Sequence, residues 1–149
     1  MLDTVTMSKL PNIQLTNEAQ VSFGERLGLD LDGKSLGVAR AEIDDAIALL
    51  FYGNTDLGQP SQKQCALALK FGIDISRMSK GVGSAYIDDI MYQLNIDAIA
   101  KHDLAPGVSV RHAAQPNERL IISSIASDGT VYFKGGNGKR AWARSLVRA

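Results

Sequence analysis

The sequence predicts an α+β protein, in which two tandem helix–bridge–helix repeats are followed by a small antiparallel β-barrel. Three observations indicate this fold class. First, a shift of 44 positions aligns residues 20–50 with residues 64–94 without a gap, and 11 of the 31 aligned pairs are identical. Second, Pro106-Gly107 marks a boundary after the second repeat. Third, the residues beyond this boundary form short β-branched and aromatic runs separated by turn signals.

Each repeat begins with the same helix signal. Asn17 and Ser61 occupy matching positions, and each precedes a glutamine by three residues, which is the spacing of a capping box. A matching glycine ends each first helix, because a residue without Cβ can take the left-handed turn. A short extended bridge and a second, serine-capped helix follow. The match therefore predicts one supersecondary unit used twice, over residues 17–53 and 61–103, after an extended lead-in of residues 1–16.

The predicted barrel domain covers residues 107–149. Its strand-like runs are residues 108–111, 120–126, 130–134 and 140–147. Asp128-Gly129 and Asn137-Gly138 are hairpin signals, because both central residues of a type I′ turn need positive φ. Short strands joined by tight turns are typical of small barrels. We interpret Trp142 as a core residue of this barrel, with a surface contact as the alternative, and we expect Tyr132 to face outward.

The composition is that of an ordinary soluble globular chain. Of its 149 residues, 45% are hydrophobic and 21% are charged. No apolar run approaches the roughly 18 residues that span a bilayer, and the first residues lack the features of a secretory signal. The single cysteine, Cys65, excludes an internal disulfide, fits a reducing cytoplasm and is expected to be buried and inert. We therefore predict a cytoplasmic protein that does not contact membranes.

The net charge of zero conceals an asymmetry along the chain. From Gly107 onward there are seven basic and two acidic residues, so this part carries +5 and the preceding part carries −5. Such an asymmetry suggests two surfaces with different partners. The alternative is that the two parts neutralise each other within the molecule.

The helical unit resembles the SAP-like and helix-extension-helix modules of small phage and bacterial proteins. The resemblance rests on residues 64–94, with Phe71-Gly72-Ile73-Asp74-Ile75 and Met78-Ser79-Lys80-Gly81 at its centre, and on the matching residues of the first repeat. It implies nucleic-acid binding. The first repeat departs from this pattern, because Glu18–Leu50 carries seven acidic against three basic residues, and an acidic surface repels phosphate.

The C-terminal block resembles small barrels of the Src-homology-3-like, KOW or Tudor-like type. Ile125–Phe133 carries the similarity, and Ala141–Val147 matches the closing strand. The resemblance implies a ligand that is RNA, DNA or a peptide, without choosing among them.

Basic and aromatic residues of the predicted barrel form the candidate nucleic-acid surface. Basic groups beside outward-facing rings suit contact with phosphates and stacking of unpaired bases. The candidates are Arg111, Tyr132, Lys134, Lys139, Arg140 and Arg144. The glycine-rich residues 134–140 lack the Walker pattern, so we interpret them as a basic hairpin tip.

Two Asp-Asp pairs at matching positions are the candidate protein-binding residues. They are Asp44, Asp45, Asp88 and Asp89. Adjacent helix positions point about 100° apart, so neither pair converges on a metal or an acid–base site. A solvated face, or pairing with basic residues of the other repeat, is the alternative to docking of a basic partner. His102 and His112 do not stand at ligand spacings, so no metal, cofactor or catalytic residue is predicted.

Two hypotheses of function follow from these surfaces. In the first, the chain is a non-enzymatic nucleic-acid-associated adaptor whose basic barrel contacts the phosphate backbone and whose acidic repeats contact a protein. In the second, it is a protein-binding inhibitor from a phage or mobile element, of the anti-defence or anti-CRISPR type. Its acidic face would then imitate phosphate and occupy the basic nucleic-acid channel of a target protein.

Overall fold

The chain is an α+β protein with four described helices and a five-stranded antiparallel sheet. The computed structural model describes Leu10, residues 12–135 and residues 138–149. The helices are α1 (Glu18–Arg26), α2 (Leu36–Tyr52), α3 (Gln62–Lys70) and α4 (Lys80–Lys101). The strands are β1 (Ser109–His112), β2 (Gln115–Ile125), β3 (Thr130–Phe133), β4 (Arg140–Trp142) and β5 (Leu146–Arg148). The chain forms two compact units that divide after Ile90, which we call the helical unit and the sheet unit.

Both predicted capping boxes are confirmed. The Asn17 side chain accepts a hydrogen bond from the backbone N–H of Gln20 at 2.8 Å, and the Ser61 hydroxyl accepts one from the N–H of Gln64 at 3.1 Å. Each glutamine side chain in turn accepts a hydrogen bond from the N–H of its capping residue. Two of the unpaired N–H groups at each helix start are therefore satisfied, so α1 and α3 begin where the sequence predicts.

Left-handed glycines follow the ends of α1 and α3. Gly28 has a φ of 79° and Gly72 a φ of 74°, a conformation that a residue with a Cβ adopts only under strain. The segments that follow carry Leu31, Ile73 and Ile75 into the interior of the helical unit, where each is 0% exposed. These three buried side chains anchor the links between the helices in the core of the helical unit.

The five strands form an open antiparallel sheet. Their order is β4-β3-β2-β1-β5, so β4 and β5 are its edges. Val110 pairs with Leu120 and Arg148, and Val131 pairs with Ala141. Residues of alternate positions point to one face, as the period of two requires. The buried residues on that face and beside it are Leu104, Val110, Ile122, Val131, Phe133, Ala143 and Leu146.

Two sequence expectations differ from the structure. The single strand expected over residues 140–147 is interrupted by a 3₁₀ turn at Ala143–Ser145, because the N–H of Ala143 donates to the carbonyl of Gly129 at 2.9 Å and turns the chain inward. Cys65, expected to be buried, is half-buried.

Two further expectations fall on residues outside the described part of the chain. Most of the extended lead-in at residues 1–16 precedes the first continuous described stretch. The hairpin turn expected at Asn137-Gly138 includes one residue, Asn137, that is also outside it. Both stay predictions.

Candidate functional site

Two aromatic rings and two arginines share one region of the sheet. Because Val131 and Ala141 form an inward-facing cross-strand pair, their neighbours on β3 and β4 face outward. Tyr132 pairs with Arg140 across the strands, and Trp142 lies two positions farther along β4. We call Tyr132, Arg140, Trp142 and Arg144 the aromatic–basic face. Its rings are accessible, with Tyr132 37% and Trp142 44% exposed.

The interpretation of Trp142 as a core residue is wrong. Small residues, Ala141 and Ala143, occupy the inward positions on either side of it, so the indole is turned to the surface. The Arg144 guanidinium lies 4.9 Å from the centre of the Trp142 ring, which is a cation–π contact. The indole is therefore partly exposed, with the Arg144 cation over one of its faces.

A buried asparagine holds Arg144 in this position. The Oδ1 atom of Asn95, in α4, accepts hydrogen bonds from the Arg144 backbone N–H at 3.1 Å and from its Nη1 at 3.3 Å. The Asn95 amide donates to the carbonyl of Asp128 at 3.2 Å, and the residue is only 1% exposed. Partial burial lowers the pKa of the Arg144 guanidinium, which stays cationic at neutral pH. Asn95 was not among the candidates, although an asparagine inside an apolar helix pattern is the kind of signal that marks a buried polar contact.

The remaining basic candidates lie elsewhere on the sheet unit. Arg111, on β1, lines a small cleft together with Arg119 and Asn117. Lys134 is exposed directly after β3. Lys139 is exposed, and its ammonium forms an ion pair with Glu118 at 2.8 Å. The structure thus brings together Tyr132, Arg140 and Arg144, and it separates the other three into distinct positions along the sheet.

The two Asp-Asp pairs divide into exposed and half-buried members. Asp44 and Asp88 are exposed. Asp45 accepts a hydrogen bond from the Ser79 hydroxyl at 2.5 Å, and Asp89 accepts one from the Ser35 hydroxyl. Ser35 and Ser79 also cap α2 and α4, because their hydroxyls accept the N–H groups of the residues three positions later. The second aspartate of each pair therefore makes a contact within the helical unit. Asp45 of α2 contacts the serine that caps α4, and Asp89 of α4 contacts the serine that caps α2.

Asp89 is the carboxylate with the most unusual environment. Its Oδ2 atom is buried and lacks a hydrogen-bond partner among the described residues. Burial raises the pKa of Asp89 to about 6, the Ser35 hydrogen bond opposes this rise, and the charge of Asp88 adds to it. Among the described residues, groups of three or more His, Cys, Asp or Glu that could hold a metal ion do not occur.

An apolar groove lies in the helical unit, next to an exposed helix end. The groove has a volume of about 390 Å³, with Leu27, Leu57 and Val82 among the apolar residues that line it. The last turn of α2 forms what we call the α2 apolar patch: Leu49, Leu50, Phe51 and Tyr52, which are 47, 59, 70 and 81% exposed. This patch was not among the candidates predicted from the sequence. Four consecutive large apolar residues at a helix end are its signal in the sequence.

Within the described residues, no helix combines the length and the apolar character needed to cross a bilayer.

The comparisons with known proteins give one match. Neither the curated proteins nor the solved structures contain a match to this chain. One family model matches residues 5–115, which is more than half of the chain and includes all four helices and β1. The chain therefore belongs to the family described as Domain of unknown function (DUF8720).

Proposed function

We propose that this chain is a non-enzymatic nucleic-acid-associated adaptor. In this proposal the sheet unit contacts nucleic acid through the aromatic–basic face, and the helical unit contacts a protein. The observation that carries the proposal is that Tyr132 and Trp142 expose their rings on the same outward face as Arg140, with Arg144 beside the indole.

The chemistry of this face suits an unpaired strand. Every base offers a π-face, and stacking on an aromatic side chain contributes about 1–3 kcal/mol per base. Arg140 and Arg144 supply positive charge for the phosphates between stacked bases. Lys134 and Lys139 extend the positive potential toward the β3–β4 hairpin tip, although the ion pair of Lys139 with Glu118 weakens its share.

The same proposal includes the finer architecture expected from the sequence. Two observations support one helix–bridge–helix unit used twice, of the SAP-like or helix-extension-helix type. The Ser79–Asp45 and Ser35–Asp89 contacts are reciprocal. A Cβ added at Gly81 would lie 3.7 Å from an Asp45 oxygen, and one added at Gly37 would lie 3.8 Å from an Asp89 oxygen.

The short connection between the two edge strands supports the proposed small barrel of the Src-homology-3-like type. The two edge strands, β4 and β5, are joined by only the three residues Ala143–Ser145. So short a connection between opposite edges requires the sheet to bend round on itself.

The single cysteine is consistent with the reducing cytoplasm that we propose as the compartment of this protein.

The alternative, a phosphate-mimicking inhibitor, has less support. Asp44 and Asp88 are exposed and are available to a basic target. Asp45 and Asp89 are held by serine hydroxyls in the helical unit, so half of the acidic residues that this alternative needs are already occupied. A pull-down from host lysate separates the two functions: the inhibitor's target is retained after nuclease treatment, whereas the adaptor's nucleic acid is lost.

Binding of labelled oligonucleotides tests the proposal. We expect single-stranded DNA or RNA to bind with an affinity that falls steeply as salt increases, because phosphate contacts release counterions. Replacing Arg140 by alanine removes a phosphate contact. The logarithm of the binding constant then falls less steeply with the logarithm of salt concentration, by about 1 in slope. Trp142→Ala removes a stacking surface and weakens binding about tenfold or more, whereas Trp142→Phe retains most of the affinity.

A charge-matched control is available in the helical unit. Arg77 is exposed and lies far along the chain from the aromatic–basic face, so Arg77→Ala should leave the affinity unchanged. Absence of binding at low salt, or binding that Arg140→Ala and Arg77→Ala weaken equally, contradicts the proposal.

A further inference from the structure

The α2 apolar patch exposes a large apolar surface at the end of a helix. Phe51 is 70% and Tyr52 81% exposed, which corresponds to about 300 Å² for the two rings together at roughly 200 Å² per whole aromatic side chain. Leu49 and Leu50, each about half exposed, extend this surface. A contiguous apolar patch of roughly 300–600 Å² is as large as the largest patch on a typical monomer and is often an interaction site.

The corresponding positions of α4 are covered. A shift of 44 positions places Leu49 on Gln93 and Phe51 on Asn95. Gln93 is 2% and Asn95 1% exposed, and Asn95 is enclosed by the Asp128 carbonyl and Arg144. These positions lie inside α4, which continues to Lys101, and two of them, Gln93 and Asn95, form a buried polar surface there. In α2 the residues are more apolar and remain uncovered, which indicates that they too have a surface to pack against.

The α2 apolar patch lies beside the apolar groove. Along α2, Ala46, Leu49 and Leu50 line the groove of about 390 Å³, and Tyr52 follows Leu49 by three residues and so continues the same face. Phe51 protrudes next to it. The helical unit therefore presents a projecting pair of rings adjacent to an apolar groove, which is a shape that can match a second copy of itself.

The charges around the groove allow such a contact. Of the two carboxylates that line the groove, Glu42 is paired with Lys34 at 2.6 Å, and Asp45 accepts the Ser79 hydroxyl. The α2 apolar patch itself carries no ionisable carboxylate or basic group, and the whole chain has a net charge of zero. The part of the chain before Gly107, to which the patch belongs, nevertheless carries −5, so repulsion between copies opposes the contact and is screened by salt.

We propose that the α2 apolar patch and the adjacent groove form a two-fold interface between two copies of this chain. In a two-fold contact the same patch is used on both sides, so Phe51 and Tyr52 of each copy enter the groove of the other. The rings of two copies bury about 600 Å² together, and the leucines and the groove walls bring the contact near the roughly 1,000 Å² that a specific interface needs. This inference is independent of nucleic-acid binding.

Sedimentation velocity and light scattering over a wide concentration range test this interface. We expect the mass to rise from that of one chain, 16.0 kDa, to twice that value as concentration increases. The variant Phe51→Ser/Tyr52→Ser should weaken dimerisation at least about 100-fold, because aromatic residues at the centre of an interface contribute most of its binding energy. Both residues are exposed in a single copy, so the variant should keep the circular dichroism spectrum of the wild type.

Leu69→Ser is the matched control. Leu69 is 61% exposed on α3, outside the groove, and its replacement should leave the dimer intact. Increasing salt should preserve or strengthen the dimer, since the contact is apolar. A chain that stays monomeric at the highest concentration overturns the proposal, and the patch then serves a different protein. A dimer that persists in Phe51→Ser/Tyr52→Ser, or that dissociates in salt, overturns it as well.

Discussion

Replacing Asp89 by asparagine should change how the stability of the helical unit depends on pH. The Asp89 carboxyl is half-buried, one of its oxygens lacks a partner among the described residues, and its pKa is raised from 3.8 to about 6. A carboxyl whose pKa is higher in the folded than in the unfolded chain binds its proton more tightly when folded. It therefore stabilises the fold at acidic pH and loses that contribution as pH rises from 3.8 through about 6.

The magnitude follows from the size of this shift. Each pKa unit corresponds to about 1.4 kcal/mol, so ionisation of Asp89 costs the folded state about 3 kcal/mol above pH 6. Asp89→Asn removes the titration. The asparagine amide brings an NH2 group into this site without an acceptor for its hydrogens. This lowers the free energy of unfolding by about 1–3 kcal/mol at every pH. The free energy of unfolding of the variant minus that of the wild type should therefore increase by about 2.5 kcal/mol from pH 4 to pH 8, since a small part of the difference is already present at pH 4.

Urea unfolding followed by far-ultraviolet circular dichroism measures this difference at each pH. The exposed Asp44 is the matched control, because Asp44→Asn removes a charge from the equivalent helix without removing a buried carboxylate. We expect its effect to stay within about 0.5 kcal/mol throughout. If the difference between Asp89→Asn and the wild type is the same at pH 4 and pH 8, the carboxyl is not desolvated and the reasoning fails.

Further predictions concern the sheet unit and the helix caps. Gly129→Ala should cost at least about 3 kcal/mol in thermal unfolding, because φ is 90° and the new Cβ would lie 2.4 Å from that of Asn95. Gly138→Ala meets nothing within 4 Å and should cost only the backbone strain of about 1 kcal/mol. Asn95→Ala should cost about 2 kcal/mol or more and should change the fluorescence of Trp142, since Arg144 loses the Asn95 acceptor. Ser61→Ala should cost about 1 kcal/mol in chemical unfolding, whereas Ser61→Asp, which keeps an acceptor, should cost much less.

Local signals in the sequence predicted the helix starts and stops well. A capping box is complete within four residues, so Asn17 and Ser61 could be identified with their glutamines without knowledge of the fold. The left-handed turns at Gly28 and Gly72 are equally local, because only the absence of a Cβ is needed. The α+β class follows from these signals together with the change to short β-branched runs near residue 107.

Long-range contacts could not be predicted in the same way. The strand signal over residues 140–147 does not show that Ala143 bonds to Gly129 and turns the chain, which places Trp142 outside the core. The difference between Asp44 and Asp45 is likewise invisible in the sequence, since it depends on Ser79, 34 residues away. The candidate site was therefore predicted in composition, with Tyr132, Arg140 and Arg144 among its members, while the buried Asn95 that holds Arg144 was missed.

The position of β1 between β2 and β5 has a consequence for the order of folding. The β2–β3 and β3–β4 pairings join neighbouring segments, whereas Val110 pairs with Arg148 across almost the whole sheet unit. Closing that long loop has a larger entropic cost than forming a hairpin. The contacts of the β1–β5 ladder compensate for this cost only after the β2–β3 and β3–β4 hairpins have formed. We therefore expect the β1–β5 ladder to form after the transition state. Conservative variants of Leu146 should accelerate unfolding and leave the refolding rate nearly unchanged.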